Sequence, residues 1–183
     1  LPRLLNYISF LIFSCIRTLT LPKFDLVIVT SPPLTVVLPA ILIKKKQNIP
    51  LLIDIRDLWP EAPIELGYFK SNRIKQILFD FEKYLYDIAD HIISVSSGIH
   101  QDIVKKGVNE NKCSIITNGV DLNLFSPNKK AINKDLIELK RSGHKIGMFL
   151  GTLSVYHGLD LAIELVKNLN QENITFVFVG GGS

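Results

Sequence analysis

The chain is poor in the residues that build covalent or metal-bound frameworks, with two cysteines and four histidines among its 183 residues. Cys15 and Cys113 are far apart and fit neither a C-x-x-C pattern nor a disulfide framework, which predicts buried thiols in a reducing compartment. The histidines show no ligand spacing such as H-x-x-x-H, so no metal site built by this chain alone is expected. We therefore predict a cytoplasmic protein without a catalytic metal site of its own.

The sequence also lacks an apolar run of membrane-spanning length. Its most apolar stretch, LLNYISFLIFSCIRTLTL, is interrupted by Asn6, Ser9, Ser14 and Arg17, whereas a span requires about 20 predominantly apolar residues. A helix that is apolar on all sides usually belongs to a core. We predict a buried helix here, with a helix lying on a membrane surface as the alternative.

Positive charge is present but scattered, with a net charge of +4 and a pI near 9.0. The densest run, Lys44–Lys46, closes the apolar segment LTVVLPAILI, where cations favour the negative end of a helix dipole. We expect these lysines at a helix terminus, with phosphate binding as the less favoured alternative, and we expect no nucleic-acid partner. A basic chain rich in Ile and Leu is compatible with peripheral contact with an anionic inner membrane.

Short apolar runs alternate with longer helical stretches from residue 24 onwards. Runs that are apolar at successive positions are typical of strands buried on both faces of a parallel sheet. A helix is predicted between the second and third runs, with Ser71 as its N-cap and apolar residues at helical spacing. The sequence therefore predicts an α/β fold. The runs are FDLVIVT, PLLIDIR, HIISVS, CSIIT, KIGMFLG and ITFVFVG, and the helix face is Ile74, Leu78, Phe81, Leu85 and Ile88.

The same alternation starts again after a polar stretch that includes SPNKK. We predict a first Rossmann-like domain over residues 1–127, a linker over 128–144 and the beginning of a second Rossmann-like domain over 145–183. Two strands and one helix are too few to cover both faces of a sheet, so the second domain is expected to be incomplete.

In an open parallel sheet the carboxyl ends of the strands lie at one edge, where ligands bind. The loops that follow the first four predicted strands are TSPPL, RDLWPE, SVSSG and TNGVD. Each contains more hydroxyls, glycines, prolines or charges than a simple connection needs. We therefore predict a site for a polar ligand at this edge of the sheet.

The RDLWPE loop contains the strongest candidates for chemistry. Asp57 is expected to contact a substrate hydroxyl, because a carboxylate at a strand end can reach both solvent and ligand. Arg56 fits a catalytic role and an ion pair with Asp54 or Asp57 equally well. Trp59 fits substrate binding and packing of the loop equally well, and Glu61 is a further substrate-binding candidate.

The other three loops also contain substrate-binding candidates, each with a simpler structural explanation. The Ser-Pro-Pro turn is stiff, and turn geometry alone is the favoured explanation for it. The serines of SVSSG precede a helix and are expected to N-cap it. The Asn-Gly pair suits a backbone with positive φ, and the aspartate that follows can cap the next turn. These candidates are Ser31, Pro32, Ser96, Asn118, Gly119 and Asp121.

Two glycine-rich stretches end the strands of the second unit. Gly151 ends one strand and Gly158 begins an apolar-periodic helix, which leaves backbone N–H groups and the helix dipole free to face a phosphate. At Gly180 and Gly182 the absence of Cβ atoms would let the backbone approach a nucleotide closely. No G-x-G-x-x-G dinucleotide fingerprint is present.

The order SPP, RDLWPE, SVSSG, ITNGVDLNLFSP, GTLSVYHGLD and VGGGS resembles that of the family 4 glycosyltransferases, which have the two-domain GT-B architecture. The stretch TSPPL followed by IDIRDLWPEAPIELG is most similar to the branch that transfers N-acetylated amino sugars in bacterial O-antigen or capsule synthesis. The resemblance implies an acceptor-binding domain over 1–127 that lacks its first strand and glycine loop, and a nucleotide-sugar domain that begins near 145. Both domains are then incomplete.

The resemblance also implies an activity and a donor site. It implies retaining transfer, without a metal, from a UDP-linked N-acetylated hexosamine to a lipid-linked or glycan acceptor at the cytoplasmic face of the membrane. The donor would be held at Gly151, Thr152, His157, Gly158, Gly180 and Gly182, with Thr152 and His157 standing where many relatives have Arg and Lys. The E-x7-E carboxylate pair of the family follows later in the donor domain and is expected beyond Ser183, so the 183 residues alone are expected to be inactive. Two alternatives are a non-catalytic half of a split glycosyltransferase and a GT-B epimerase.

Overall fold

A computed structural model describes residues 2–126, 133–153, 158–169 and 173–182. They belong to two compact units, Leu1–Gly119 and Val120–Ser183. The first unit thus ends before residue 127, and the expected linker contains a helix, α6 (Lys134–Arg141). Asn133 caps this helix, because its side-chain oxygen accepts a hydrogen bond from the Leu136 amide at 3.0 Å. Residues 128–132 of the expected linker lie outside the described residues.

The first unit is an α/β layer structure around one parallel sheet. Four strands lie in the order β1-β2-β3-β4 and every neighbouring pair is parallel. The predicted α/β class and the first four predicted strands are confirmed. The elements are α1 (Pro2–Thr18), β1 (Val27–Ser31), α2 (Val37–Gln47), β2 (Leu51–Ile55), α3 (Glu61–Glu65), α4 (Asn72–Ile88), β3 (His91–Ser94), α5 (Ser97–Lys105) and β4 (Cys113–Ile115).

The core lies where the two central strands are covered by helices. Ile53 and Ile92 are opposite each other in the register of β2 and β3, and both side chains are fully buried. Leu51 of β2 and Ile103 of α5 are equally buried. Alternate residues of β2 are buried while the others are half-buried, as expected for a strand between two neighbours. This core fixes the sheet on which the strand-end loops stand.

Helix α4 forms where it was predicted, with two differences in detail. Ser71 occupies the N-cap position, but its side chain makes no capping hydrogen bond. Only the C-terminal part of the predicted apolar face reaches the core, where Leu85 is buried and Phe81 and Ile88 pack against the core cluster. Ile74 in the first turn is 46% exposed. The three lysines that close α2 lie in its last turn, as expected.

The prediction that the N-terminal apolar stretch is a buried helix is wrong. The stretch forms α1, which packs against α2 but leaves most of its large apolar side chains exposed. One neighbouring helix cannot cover a helix that is apolar on all sides. Among the described helices, none has both the length and the apolar character needed to cross a membrane. The exposed apolar residues of α1 are Leu5, Tyr7, Ile8, Phe10, Ile12, Phe13 and Ile16.

Both cysteines are less buried than predicted. Cys15 and Cys113 are free thiols, and each is half-buried. Cys15 lies on α1, which is covered on one side only, and Cys113 begins β4, which ends the described order of the sheet. Burial nevertheless raises the pKa of the Cys113 thiol.

The second unit has two parallel strands, β5 (Lys145–Leu150) and β6 (Ile174–Val179), and a helix, α7 (Leu159–Asn168). Pairing continues past both strands, because the Leu153 amide donates to the Gly181 carbonyl at 2.9 Å. A Cβ atom at Gly180 would lie 1.8 Å from the Gly151 carbonyl oxygen, and one at Gly182 would lie 1.9 Å from that of Leu153. These two glycines are required by the close approach of the two backbone segments.

We therefore expect Gly180→Ala to lower the free energy of unfolding, by about 1 to 3 kcal/mol, because the backbone must shift to relieve the clash. The measurement is urea denaturation followed by circular dichroism. Gly181→Ala is the matched control, since a Cβ there meets nothing within 4 Å. Equal stability of the two variants would contradict the role assigned to Gly180.

Candidate functional site

The candidate site lies at the carboxyl ends of the four strands of the first unit. Ser31, Ile55, Ser94 and Ile115 are in register across the sheet, each in the last position of its strand. The loops that follow these four residues therefore begin at the same edge. This is the arrangement that the sequence predicted for the strand ends.

Arg56 links three of these strand-end segments. Its Nε lies 2.9 Å from Asp54 Oδ2, and its Nη1 donates to Asn118 Oδ1 at 3.1 Å. Its backbone amide donates to the Ser31 carbonyl at 3.0 Å. Thr30 donates to the same Asp54 oxygen at 3.3 Å. The ion pair with Asp54 that the sequence left open is present, while the Arg56 side chain remains 52% exposed and open to a ligand.

Asp57 differs from Asp54 and Arg56 because its carboxylate is exposed and is paired with no other charged or polar side chain in the described residues. Among the described residues, no hydrogen bond or ion pair involves this side chain. Asp57 lines a cavity of about 610 Å³ together with Glu61 of α3 and Ile99 and Lys106 at the two ends of α5. A free carboxylate in a cavity at a strand end can accept a hydrogen bond from a ligand hydroxyl.

A second, apolar groove of about 490 Å³ adjoins the same loops. Trp59 packs against the core cluster and meets the Phe69 ring edge-on, with 6.2 Å between ring centroids. The packing role that the sequence left open for Trp59 is therefore present, and the ring also lines the groove. Sequence analysis missed the contribution of α1 to this groove. Its lining residues are Tyr7, Ile8, Leu11, Pro32, Pro33, Thr35, Trp59 and Phe69.

Ser31 and Ser96 are placed differently at this edge. Ser31 is 1% exposed, and its Oγ is without a hydrogen-bond partner in the part of the chain that the structure describes. Ser96 is the N-cap of α5, and its Oγ accepts a hydrogen bond from the Ile99 amide at 3.3 Å. The capping role expected for Ser96 is thus present, and it occupies one lone pair of the hydroxyl.

The expectation of a positive φ at Asn118-Gly119 is wrong. Gly119 is absent from the positive-φ glycines of the described chain, and residues 116–119 form no turn. The Ile116 amide continues the strand pairing by donating to the Ser94 carbonyl. Asp121 does cap the turn that follows. Its carboxylate accepts hydrogen bonds from the amides of Asn123 at 2.8 Å and Leu124 at 3.3 Å.

Sequence analysis also missed a charge network that joins the end of the RDLWPE loop to the buried Glu82. Lys106 forms ion pairs with Glu61 and with Glu82, whose side chains are 24% and 3% exposed. Burial raises the pKa of Glu82, against the opposing effect of its hydrogen bond from Lys106. The sequence contained a sign of this network, because Glu82 lies four residues after Leu78 on the apolar face of α4. A carboxylate at such a position requires a buried partner.

In the second unit, the predicted donor-binding residues lie at the ends of β5, β6 and α7. Gly158 is the N-cap of α7 with φ of 60°, and having no side chain it cannot cap the first turn itself. Gly151 and Thr152 follow β5 directly, beside Gly180 and Gly182. His157 lies outside the described residues. The structure thus brings together the two glycine-rich stretches and leaves their proposed ligand a prediction.

A sequence profile described as Glycosyltransferase Family 4 matches residues 1–124, which is more than half of the chain. The chain belongs to glycosyltransferase family 4. No curated protein sequence matches it significantly. In the described ranges, no three His, Cys, Asp or Glu side chains are grouped as metal ligands would be.

Solved structures of HepE from Anabaena are similar to this family 4 chain. The HepE complex with UDP has a TM-score of 0.68 and 18% identity, over 93% of this chain and 43% of HepE. The complex with UDP-glucose has a TM-score of 0.63 and 18% identity, over 92% of this chain and 43% of HepE. The chain therefore spans less than half the length of these structures. At this identity the similarity shows the fold, and the predicted GT-B class is confirmed.

We expect Ser96→Ala to lower the free energy of unfolding by about 1 kcal/mol, because the N-cap hydrogen bond of α5 is lost. Ser97→Ala is the matched control, since Ser97 is exposed and lies one residue inside the helix. Urea denaturation midpoints of both variants test this. If Ser96→Ala were as stable as Ser97→Ala, the N-cap hydrogen bond would not stabilise the helix.

Proposed function

We propose that the protein is a retaining glycosyltransferase that moves a sugar from a UDP-linked donor to an acceptor, with the acceptor bound by the first unit. Family membership and the fold shared with a protein that binds UDP and UDP-glucose support this proposal. The observation that carries it is the uncommitted Asp57 carboxylate, which lines a cavity at the carboxyl ends of the strands. A sugar hydroxyl is the ligand group that such a carboxylate accepts best.

In this proposal Asp57 contacts the acceptor hydroxyl that becomes bonded to the transferred sugar. Arg56 is held by Asp54 and Asn118, so its guanidinium has a defined position while half of its side chain faces solvent. A cation fixed in this way can stabilise negative charge that develops on the acceptor oxygen. Ser31, Pro32, Ser96, Asn118 and Gly119 would complete the edge, and Asp121 is proposed separately as a substrate-binding residue.

The acceptor is proposed to be lipid-linked rather than a free glycan. The apolar groove beside Trp59 continues onto α1, whose large apolar side chains are exposed. A hydrocarbon chain in this groove would place a polar head group at the neighbouring strand ends. The same exposed helix face supports peripheral contact with the cytoplasmic side of the inner membrane. The donor sugar is proposed to be an N-acetylated hexosamine used in bacterial surface polysaccharide synthesis.

The donor is proposed to bind to the second unit without a metal ion. Gly151, Thr152, His157 and Gly158 are proposed to bind the diphosphate, with the N-terminus of α7 favouring its negative charge. Gly180 and Gly182 would contribute by bringing backbone close to the nucleotide as well as to the neighbouring segment. Transfer that persists in the presence of EDTA is the expected outcome for a metal-independent reaction.

We expect Asp57→Asn to lower kcat/KM roughly 10- to 100-fold, since a hydrogen bond to a charged group is lost. The assay incubates the protein, as its native host makes it, with UDP-N-acetylhexosamine and a polyprenyl-diphosphate-linked sugar, and detects the product by mass spectrometry. Asp87→Asn is the control, because Asp87 is exposed on α4 and pairs with Lys83. Equal loss in both variants, or none in either, would contradict the role of Asp57. The 183 residues alone are expected to be inactive.

We expect Ile8→Asp to raise the KM for a lipid-linked acceptor roughly tenfold, because a carboxylate in the apolar groove would have to be desolvated. The KM for the nucleotide-sugar should not change. Ile12→Asp is the matched control, since Ile12 is exposed on the same helix but does not line the groove. If both substitutions raised the KM equally, the membrane-facing surface of α1 rather than the groove would account for acceptor binding.

A second candidate is a non-catalytic half that works through a partner chain. The observation in its favour is the exposure of apolar side chains in the second unit, among them Met148, Leu150, Leu161 and Val179. Such side chains are covered in a complete α/β domain, by the same chain or by another. Stoichiometric co-purification of a second chain with a native polypeptide of 20.6 kDa would favour this candidate over the catalytic one.

A further inference from the structure

The ammonium group of Lys106 connects two helices that are distant in sequence. Lys106 follows α5 directly and contacts Glu61 of α3, while its Nζ lies 2.5 Å from Glu82 Oε1 of α4. The Lys106 side chain is 28% exposed, so the bridge is shielded from most of the solvent. An ion pair with this little exposure is screened less by salt than one at the surface.

Glu82 is the fixed end of this bridge. Its carboxylate is 3% exposed, and the same Oε1 accepts a hydrogen bond from the Tyr86 hydroxyl at 2.7 Å. Desolvation raises the pKa of Glu82, and the contact with Lys106 opposes that effect. A buried carboxylate is retained at low cost only when its partners stay in place. Glu82 and Tyr86 therefore hold the Lys106 ammonium in one position.

Glu61 lies at the other end of this bridge, in the first position of α3. This helix has only five residues, and none of them is buried. One helical turn is not stable by itself, since nucleation costs more than a single turn recovers. Glu61 lies in this turn, four residues after Asp57 and two after Trp59. The ion pair with Lys106 thus restrains the segment that contains the proposed site residues.

We propose that Lys106 and Glu82 are positioning residues for the RDLWPE loop, acting through Glu61, so that Glu61 holds the loop rather than contacting substrate. The consequence for catalysis rests on the proposed function of Asp57, but the structural consequence does not. Without the ammonium, Glu61 loses its partner, α3 loosens, and Asp57 and Trp59 lose their fixed positions. Misplacement of a reacting group by about 1 Å can cost roughly 100-fold in rate.

Trp59 gives a direct readout, because it is the only tryptophan of the 183 residues. In the 183-residue chain, Lys106→Met should shift Trp59 emission to longer wavelength and increase its quenching by acrylamide, while far-ultraviolet circular dichroism stays unchanged. Lys106→Arg should restore both signals, because the guanidinium can pair with the same two carboxylates. Lys83→Met is the matched control: Lys83 adjoins Glu82 on α4 but is 70% exposed and pairs with Asp87.

A second variant covers the case in which Lys106→Met does not fold because Glu82 is left buried without its partner. Lys106→Met combined with Glu82→Gln removes both charges and should fold, yet Trp59 should still be more accessible because Glu61 remains unpaired.

In the native protein, Lys106→Met should lower kcat/KM roughly 10- to 100-fold with the donor KM unchanged. Unchanged Trp59 emission and quenching in both folded variants would overturn the proposal. Lost activity with unchanged Trp59 signals would also overturn it, because Lys106 would then bind a ligand itself. Absence of activity in every variant and in the wild type would count against the proposed function only.

Discussion

Parallel pairing of four strands is the constraint on which the first unit depends. Parallel strands must all end at one edge, and Ser31, Ile55, Ser94 and Ile115 do so in register. Segments that are far apart in sequence, such as Arg56 and Asn118, therefore meet within hydrogen-bond distance. Buried side chains on β2 and β3 keep the sheet rigid, so the loops begin from fixed positions. The candidate site is a consequence of this geometry.

The site edge combines two surfaces with different chemistry. On one side Asp57 lines a cavity with charged groups, and the neighbouring Arg56 is restrained by its two partners. On the other side an apolar groove extends from Trp59 to α1. A ligand with a polar head and an apolar tail matches both surfaces, whereas a wholly polar glycan would leave the groove unused. Exposure of α1 is thus best explained together with the site.

Charged groups serve two separate purposes around the RDLWPE loop. Arg56 and Asp54 organise the face that is open to ligand, where the Arg56 side chain remains half exposed. Glu61, Lys106 and Glu82 link α3 and α4 to the end of α5, and the side-chain exposure falls to 3% at Glu82. Glu61 and Lys106 also line the cavity that contains Asp57. Because Glu82 is buried, loss of its partner would carry a large desolvation cost, which makes this set suited to holding the loop in place.

The sequence by itself determined the strands, because successive apolar residues are recognisable without knowledge of their partners. It also located the strand-end loops and the capping roles of Ser96 and Asp121, since these depend on residues a few positions apart. The sequence wrongly predicted a buried α1 and a positive φ at Asn118-Gly119. Burial and φ depend on neighbouring residues in space, which a local pattern does not specify. Only the tertiary structure decided that Lys106 meets Glu61 and Glu82, and that α1 lines a groove with Trp59. Those contacts join residues more than 20 positions apart in the chain, and their pairing follows from how the helices pack on the sheet.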